Sequence, residues 1–506
     1  MTRSQVLIIG AGPTGLVLAL WLTRQGVTVR IIDKTDAPGT TSRALAVQAR
    51  TLELYRQLDL TDSVLERGHK VPGINLWARG KRAARVSFET IAGNLSPYGP
   101  FVFPQDLHER LLIERLTAAG VVVERNTELL RFSAAGDSVS ATLRGADGRE
   151  ESCEAAYLAG CDGARSIVRQ GIGVGFPGGT YDQLFYVADV DAAGPALDGE
   201  LHVALDEADF LAVFPLKGQG RARLIGTVRG DRAAHPQSLR FDDVSASAIE
   251  HMKVKIRKVN WFSTYHVHHR VADRFRQGRV FLLGDAAHIH SPAGGQGMNT
   301  GIGDAINLAW KLRSVLADHA SDALLNTYEA ERRAFARKLV ATTDRGFTLA
   351  TAESRTAAFV RLRLVPIIVP VLFRLQAVRN FLFRAVSQLV IDYRASAISR
   401  GSAGRIHGGD RLPWAKSPQR DNFDTLTAPQ WQLHVYGTAS DRLTSWCASR
   451  VVVHAFEWDH AHAMAGFAKD AVYLIRPDGY IALAAKEQDP LHLERYLTRH
   501  GLRLVL

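Results

Sequence analysis

Six residues near the N-terminus, Gly10-Ala11-Gly12-Pro13-Thr14-Gly15, constrain the fold more than any other part of the chain. They match the pattern G-x-G-x-x-G, follow the apolar run Val6–Ile9 and open a predicted helix that ends near Gln25. A second apolar run, Val27–Ile32, completes a strand–helix–strand unit, and Asp33 follows it directly. The pattern predicts the opening unit of an α/β fold with a parallel sheet and a dinucleotide site.

Each residue of this fingerprint has a physical task. Gly10 permits the tight turn, Gly12 lets the backbone approach a pyrophosphate, and Gly15 lets the helix pack closely on the strand. The positive end of the helix faces the phosphates, and the carboxylate of Asp33 accepts hydrogen bonds from the adenosine ribose. The fingerprint fits FAD and NAD equally, and a plain α/β crossover with glycines for packing is the alternative.

Length, charge and cysteine content exclude several classes of protein. A chain of 506 residues is too long for one core, so we expect more than one domain. The net charge of +11 is spread along the chain without a zinc-finger spacing or a basic run, so we expect no nucleic-acid partner. Three cysteines without a C-x-x-C pair, no signal peptide and no long apolar stretch predict a cytoplasmic protein.

Two further motifs follow the fingerprint. Asp162-Gly163 comes after the apolar residues of 157–159, and Gly284-Asp285 comes after Val280–Leu283. The second continues through Pro292, Gly294, Gly295 and Gly297 into a predicted helix near Met298-Asn299.

With these motifs in this order, the sequence resembles the single-component (class A) flavin-dependent aromatic hydroxylases. The resemblance is strong over residues 5–345, and the run Gly284–Asn299 is highly specific. It implies an FAD-dependent monooxygenase that consumes NADPH or NADH and O2. Such an enzyme hydroxylates an aromatic substrate, phenolic or of polyketide type, through a flavin C4a-hydroperoxide.

Some site roles follow from the residues and others from the resemblance. Asp285, at the end of a strand, can accept a hydrogen bond from a ribityl hydroxyl, and the helix that follows points its positive end at the flavin. The resemblance implies that Arg43 lies beside the isoalloxazine, that Gln105 contacts the flavin side chain, and that Pro292 lines the oxygen-reaction face. It also implies that Asp162 serves both FAD and the nicotinamide cofactor. The expected cofactor-binding set is Gly10, Gly12, Gly15, Asp33, Arg43, Gln105, Asp162, Gly284, Asp285, Gly295, Gly297, Met298 and Asn299, with Arg43 and Pro292 catalytic.

We expect a Rossmann-like FAD-binding domain at 1–175 plus 271–345, with an antiparallel substrate-binding sheet inserted at 176–270. We expect a helical connector at 346–400 and a final domain at 401–506, in which Val472–Tyr480 resembles the thioredoxin-like C-terminal domain of the larger aromatic hydroxylases. Because it has no C-x-x-C pair, we expect this domain to have a structural or dimer role. The expected substrate residues are Phe185, Phe210, Phe214 and Pro215, for which sheet core is the alternative. His108 is expected on a helix surface, and no metal is expected at His266 and His268.

Several alternatives stay open from the sequence. A Baeyer–Villiger or epoxidising monooxygenase on the same fold is one, and a non-catalytic FAD-binding module is another. Residues 355–394 carry arginines among apolar residues, so they either join two domains, which the prolines favour, or lie on a membrane. The substrate, the nicotinamide cofactor and the choice between monomer and homodimer are not determined.

Overall fold

A parallel sheet forms the N-terminal core of the computed structural model, which describes residues 3–39, 44–78, 80–88, 95–205, 210–228, 239–244, 246–291, 295–351, 368, 371–416 and 421–505. Strand Arg3–Ile9 lies between Val29–Ile32 and Glu150–Gly160, and Val280–Leu282 pairs with the far side of Glu150–Gly160. All these pairs are parallel, so the strands end at one edge of the sheet. The fingerprint, Asp33, Asp162 and Gly284 follow these ends, which brings the three motifs together.

The remaining strands of this N-terminal sheet lie at its margins. Arg276–Gln277 pairs with Val280–Leu282, and Glu128–Ala135, Ser138–Arg144 and Glu150–Gly160 form an antiparallel ladder. A separate small sheet contains Ala46–Val47, Phe101–Val102 and His69–Lys70.

Helices connect and cover the sheets. In chain order they are α1 Pro13–Arg24, α2 Ala49–Tyr55, α3 Thr61–Arg67, α4 Gln105–Ala118, α5 Ile167–Gly171, α6 Ala246–His251, α7 Gly297–Leu316, α8 Ala323–Thr351, α9 Gln376–Val386, α10 Asp441–Cys447, α11 His460–Ala465 and α12 Pro490–His500. Helix α1 is apolar and buried from Gly15 to Leu22, so it lies inside the N-terminal core.

A second, eight-stranded sheet, the central sheet, stands beside the N-terminal sheet. Its order is His288–Ile289, Lys255–Val271, Gly178–Ala193, Arg221–Val228, Phe210–Pro215, Leu201–Leu205, Gly73–Ala78 and Lys81–Ser87. All neighbours are antiparallel except Leu201–Leu205 and Gly73–Ala78, which are parallel. The hairpin of 73–87 and the strand His288–Ile289 therefore extend this sheet beyond the predicted range of 176–270.

The C-terminal sheet has the strand order Ile406–His407, Arg400–Ala403, Ile481–Ala485, Val472–Ile475, Gln432–Tyr436 and Val452–Phe456. Alternate residues of Gln432–Tyr436 and Val472–Ile475 enter two separate apolar clusters, one on each face. Such burial on both faces explains why Val472–Ile475 reads as a continuous apolar run, whereas its neighbour buries the polar residues Gln432 and His434.

Three sequence expectations differ from the structure. The apolar run Val121–Val123, which follows a helix predicted over 106–119, predicts a strand, but the segment contributes only an isolated bridge between Glu124 and Ile32. The leucines at 45, 52, 54 and 58 predict a helix over 45–60, but the observed helix is shorter, because Ala46–Val47 pairs with another strand before α2 begins. Ile481–Ala485 was not predicted, since its alanines lack the usual strand propensity. Among the described residues no helix is long and apolar enough to cross a membrane; residues 355–367 lie outside the described part.

Candidate active site

A cavity of about 580 Å³ opens where the ends of the parallel strands face the central sheet. One side is formed by the fingerprint turn and the start of α7, and the other by strands Phe210–Pro215, Arg221–Val228 and Lys255–Val271. Its wall includes seven of the residues predicted from the sequence, namely Gly12, Gln105, Phe214, Asp285, Gly295, Gly297 and Met298.

The fingerprint glycines differ in what surrounds them. Gly10 has φ +100°, and a Cβ there would overlap the carbonyl oxygen of Cys161. A Cβ at Gly15 would overlap the carbonyl oxygen of Gly10, so this glycine serves the contact of helix and strand. At Gly12 no described atom lies within 4 Å of the position a Cβ would take. Of these three glycines, Gly12 therefore leaves open space in front of the helix N-terminus, which is the space a pyrophosphate requires.

Asp33 is bound to the fingerprint turn. Its Oδ2 accepts a hydrogen bond from the amide of Ala11 at 2.7 Å, and its Oδ1 accepts from the amide of Thr35 at 2.9 Å. The hydroxyl of Thr35 also donates to Oδ1, at 2.7 Å, so of about four acceptor positions one, on Oδ2, is left for a ribose hydroxyl. Gln105, at the start of α4, donates from Nε2 to Glu109 at 2.7 Å and also lies in the cavity wall.

Asp162 caps α5. Its Oδ2 accepts from the amides of Ile167 and Val168 at 2.8 and 3.2 Å, while its Oδ1 is buried without a partner among the described residues. Burial raises the pKa of this carboxyl above its ordinary value, although the hydrogen bonds it accepts oppose that shift. The neighbouring residues Cys161 and Gly163 reach the cavity wall, but Asp162 itself does not.

The Gly284-Asp285 segment lies opposite the fingerprint turn. Gly284 has φ +57°, and a Cβ there would come within 2.7 Å of Thr14 Oγ1. Both the left-handed backbone and the close approach to the fingerprint require glycine at this position. Asp285 is exposed and lines the cavity.

The start of α7 presents backbone to the cavity. Gly295, Gly297 and Met298 line it, whereas the side chain of Asn299 is buried behind them. The Asn299 side chain accepts from Gln48 N at 2.9 Å and donates to the carbonyl oxygen of Ala46 at 2.8 Å. Asn299 therefore anchors the start of α7 to the segment before α2, and it is not part of the cavity wall.

The four residues predicted to bind a substrate lie on two faces of the central sheet. Phe214 lines the cavity, and Phe185 and Phe210 pack behind it in one apolar cluster. Pro215 is adjacent to Phe214 in a strand, so its ring points to the opposite face.

The sequence interpretation missed other residues of the cavity wall. Period-two alternation within the strands could have indicated Ile225 and Tyr265, whose side chains share a face with Phe214. Local signals do not show that strand Lys255–Val271 lies against the fingerprint. The residues missed are Ile225, Tyr265, His266, Val267, His268, Ile289, His290 and Ser291.

His290 is the most unusual of these residues. A hydrogen bond of 2.9 Å joins its Nδ1 to the carbonyl oxygen of Ser291, while its Nε2 is buried without a partner among the described residues. Burial lowers the pKa of His290 to about 4. Because Nδ1 must carry the proton that bonds the carbonyl, Nε2 of the neutral ring is an acceptor.

The expectation for His108 was wrong. The residue is fully buried under α4, where its Nε2 lies 2.7 Å from the hydroxyl of Tyr55. Burial lowers the pKa of His108 to about 3, so the ring is neutral and belongs to the core. Arg43 and Pro292, both predicted as catalytic, lie outside the described residues.

These features fit FAD. The open space at Gly12 suits a pyrophosphate, and the exposed carboxylate of Asp285 suits a ribityl chain. Two polar atoms at the cavity, His290 Nε2 and Ser291 Oγ, have no partner within the described residues and suit a ligand that brings hydrogen-bonding groups.

Comparison with known proteins agrees with this site. The chain matches the FAD binding domain family over residues 3–343, and it therefore belongs to that family. It is 37% identical over 524 residues to the 6-methylpretetramide 4-monooxygenase of Streptomyces rimosus, covering 96% of this chain and 91% of the relative. It is 30% identical to the rifampicin monooxygenase of Streptomyces venezuelae, covering 96% of each chain.

A solved structure supports the same assignment. An anhydrotetracycline hydroxylase from Streptomyces rimosus superposes with a TM-score of 0.77 at 30% identity, covering 99% of both chains. The predicted fold, the predicted resemblance to aromatic hydroxylases and the prediction of a flavoprotein monooxygenase are thereby confirmed, with FAD as the cofactor.

Proposed function

We propose that the protein uses NADPH or NADH and O2 to insert one oxygen atom into a phenolic, polyketide-type aromatic substrate held against its FAD. One observation carries the proposal. A single cavity has the fingerprint turn and Asp285 on one side and the apolar side chains of Phe214, Ile225 and Tyr265 on the other. A flat apolar substrate would lie between the central sheet and the flavin. The names of the relatives, which include a monooxygenase of 6-methylpretetramide, support the substrate class.

Different residues would bind different parts of FAD. Backbone amides at the starts of α1 and α7 would face the phosphates and the flavin, where helix N-termini favour negative charge. Asp33 would hold the ribose and Asp285 the ribityl chain. When bound, FAD supplies the redox chemistry, by accepting a hydride and activating O2. The protein contributes orientation and a fixed positive potential.

The central sheet would exclude water from the reaction. Phe185 and Val187 are fully buried behind Phe214 and Tyr265, so the sheet side of the cavity has an apolar second layer. Within such a layer, hydrogen bonds and charges act more strongly than in water. His290 Nε2 would accept a hydrogen bond from a group that enters the cavity.

The nicotinamide cofactor would approach through the mouth of the cavity. A neighbouring depression of about 450 Å³ shares Ala164, Tyr265, His266 and His268 with the cavity and adds Arg165 and Thr180. Burial lowers the pKa of His268, and Arg270, His266 and His269 lower it further. This shift disfavours the charged form of His268, so Arg165 would supply the positive charge for a pyrophosphate in this depression.

Mass spectrometry with ¹⁸O2 tests the proposal. Purified holoenzyme is mixed with NADPH or NADH and with anhydrotetracycline, 6-methylpretetramide or simple phenols. The expected product gains one ¹⁸O atom and keeps its ring. A ring-expanded lactone would indicate a Baeyer–Villiger enzyme instead, and nicotinamide oxidation that forms only H2O2 with every substrate would contradict the proposal.

Variants of the cavity wall test whether the aromatic substrate contacts the residues that line the cavity. Replacement of Tyr265 by Leu should raise KM for the aromatic substrate, whereas the matched change Tyr186→Leu should lower stability alone. Tyr186 lies in the same sheet but packs into the opposite apolar cluster.

The C4a-hydroperoxide route stays a prediction. Rapid mixing of reduced enzyme with O2 tests it through the absorption of a C4a adduct.

A further inference from the structure

A turn of the C-terminal sheet, Arg476–Tyr480, is inserted against α7 and α8. Arg476 donates two hydrogen bonds to Glu331, at 2.9 and 3.0 Å, and both side chains are fully buried. Asp478 accepts from the indole of Trp310 at 3.1 Å. The carbonyl oxygen of Asp478 accepts from Arg50 at 2.6 Å. The turn is therefore bound by charged and polar groups and not only by apolar packing.

A second buried cluster, centred on Asp304, lies between this turn and the Gly284-Asp285 segment. Asp304 of α7 accepts from Arg332 Nε at 2.6 Å and from the amide of Gly284 at 3.0 Å. Its Oδ2 also lies 2.7 Å from His288 Nε2. Burial acts to raise the pKa of Asp304, but Arg332 and His288 outweigh it, so the pKa lies below its ordinary value. A single carboxylate thus holds both ends of the segment that contains Asp285.

The two clusters are joined through α8 and through a pair of tyrosines. Glu331, bound by Arg476, is adjacent in sequence to Arg332, bound by Asp304. Arg332 also donates to the hydroxyl of Tyr393 at 2.9 Å, and that ring packs on Tyr480 with centroids 4.3 Å apart. A displacement of the turn would therefore reach Arg332 by two routes.

We propose that the turn Arg476–Tyr480 is a positioning element of the flavin site, which acts through Arg332 and Asp304 on the Gly284-Asp285 segment. The C-terminal unit, which has no thiol pair, would thus contribute to cofactor binding and not only to stability. The inference rests on FAD binding, which membership of the family shows, and not on the proposed oxygen chemistry.

The test is a double-mutant cycle on FAD affinity. Apoprotein of Asp304→Asn, Arg476→Gln and the double variant is titrated with FAD, at a temperature where each variant is folded by circular dichroism. By analogy with groups that orient metal ligands, we expect Asp304→Asn to weaken FAD binding about 30-fold and Arg476→Gln about 10-fold. If Arg476 acts through Asp304, the double variant should match Asp304→Asn within about twofold, because coupled residues are not additive.

A matched control is available at the same interface. Arg56 forms a 2.7 Å ion pair with Asp424, and the Asp424 side chain is half exposed. No contact among the described residues connects this ion pair to Asp304. Arg56→Gln should leave FAD affinity unchanged. If Arg476→Gln does not fold, Arg476→Lys keeps the charge but loses the planar two-point contact with Glu331, and it should weaken FAD binding in the same direction.

The flavin midpoint potential separates positioning from mere stability. In Asp304→Asn the positive charge of Arg332 is no longer neutralised by a carboxylate, so the flavin midpoint potential should shift upward. The potential of Arg476→Gln should also shift. Variants of Arg476 that lower only the melting temperature, with FAD affinity and potential unchanged, would overturn the inference, as would losses that multiply in the double variant. A failure to oxygenate any substrate would contradict the proposed function and leave these binding results unaffected.

Discussion

Replacement of Gly12 by alanine should abolish tight FAD binding without disturbing the fold. Gly12 has φ −76° and ψ −179°, which any residue adopts, and a Cβ there meets no described atom within 4 Å. The methyl group would occupy the space in front of the α1 amides. Loss of one hydrogen bond from an amide to a charged phosphate costs about 1.5–3 kcal/mol, which corresponds to a roughly 10- to 150-fold weaker Kd.

The assay is titration of apoprotein with FAD, followed by flavin fluorescence, together with thermal unfolding of the apoprotein. Gly15→Ala is the matched control, since its Cβ would overlap the carbonyl oxygen of Gly10. That variant should lower the melting temperature of the apoprotein, whereas Gly12→Ala should not. A Gly12→Ala protein that binds FAD with the wild-type Kd would refute the reasoning, because no phosphate could then lie against this turn.

Three further outcomes are expected. Because the folded-state pKa of His108 is about 3 and the unfolded value about 6.5, the unfolded chain binds the proton first as pH falls. Wild-type stability should thus fall by about 2 kcal/mol more than that of His108→Gln between pH 8 and pH 5, in urea titrations; equal slopes would show that the ring is not buried. Arg43→Ala should slow flavin reduction and hydroxylation by about 100-fold in stopped-flow traces, more than it weakens FAD binding. Arg50→Ala, assayed with FAD at saturation, should mainly destabilise, since Arg50 is buried between Glu53 and the turn at Asp478. Near-normal turnover of Arg43→Ala beside an inactive but folded, FAD-saturated Arg50→Ala would contradict the family-based role. Tyr265→Leu should raise KM for the aromatic substrate by about 10-fold, the effect of losing roughly 1.4 kcal/mol of ring contact, and a change in kcat alone would argue against substrate contact.

Local patterns were sufficient for the part of the site that we propose binds FAD. Gly15 is required by its contact with the carbonyl oxygen of Gly10, and Gly10 by its left-handed φ of +100°, so both requirements arise within one strand–turn–helix unit. Parallel pairing then follows from the α/β alternation, and it brings Asp33 and Asp285 to one edge of the sheet. The roles of Arg43 and Pro292 came from family resemblance and stay predictions.

Long-range contacts decided what the sequence could not. Asn299 was predicted to bind the cofactor, yet its side chain is used on the segment before α2, some 250 residues away. His108 was expected on the surface of α4, where Asp106 and Glu109 lie close to it in the sequence. The helix face that His108 occupies is instead covered by Tyr55 and Phe103.

The sequence by itself determined the class of the protein, the dinucleotide fingerprint and the existence of a β-rich region with apolar alternation. Only the tertiary structure decided which strand faces the cavity, so that Tyr265 and His290 line it while Phe185 lies behind and Pro215 points away. It also placed the turn Arg476–Tyr480 against α7 and α8. The physical reason is that glycine turns and alternation are set by neighbours along the chain, whereas the partner of a sheet face or of a buried charge is set by residues hundreds of positions away.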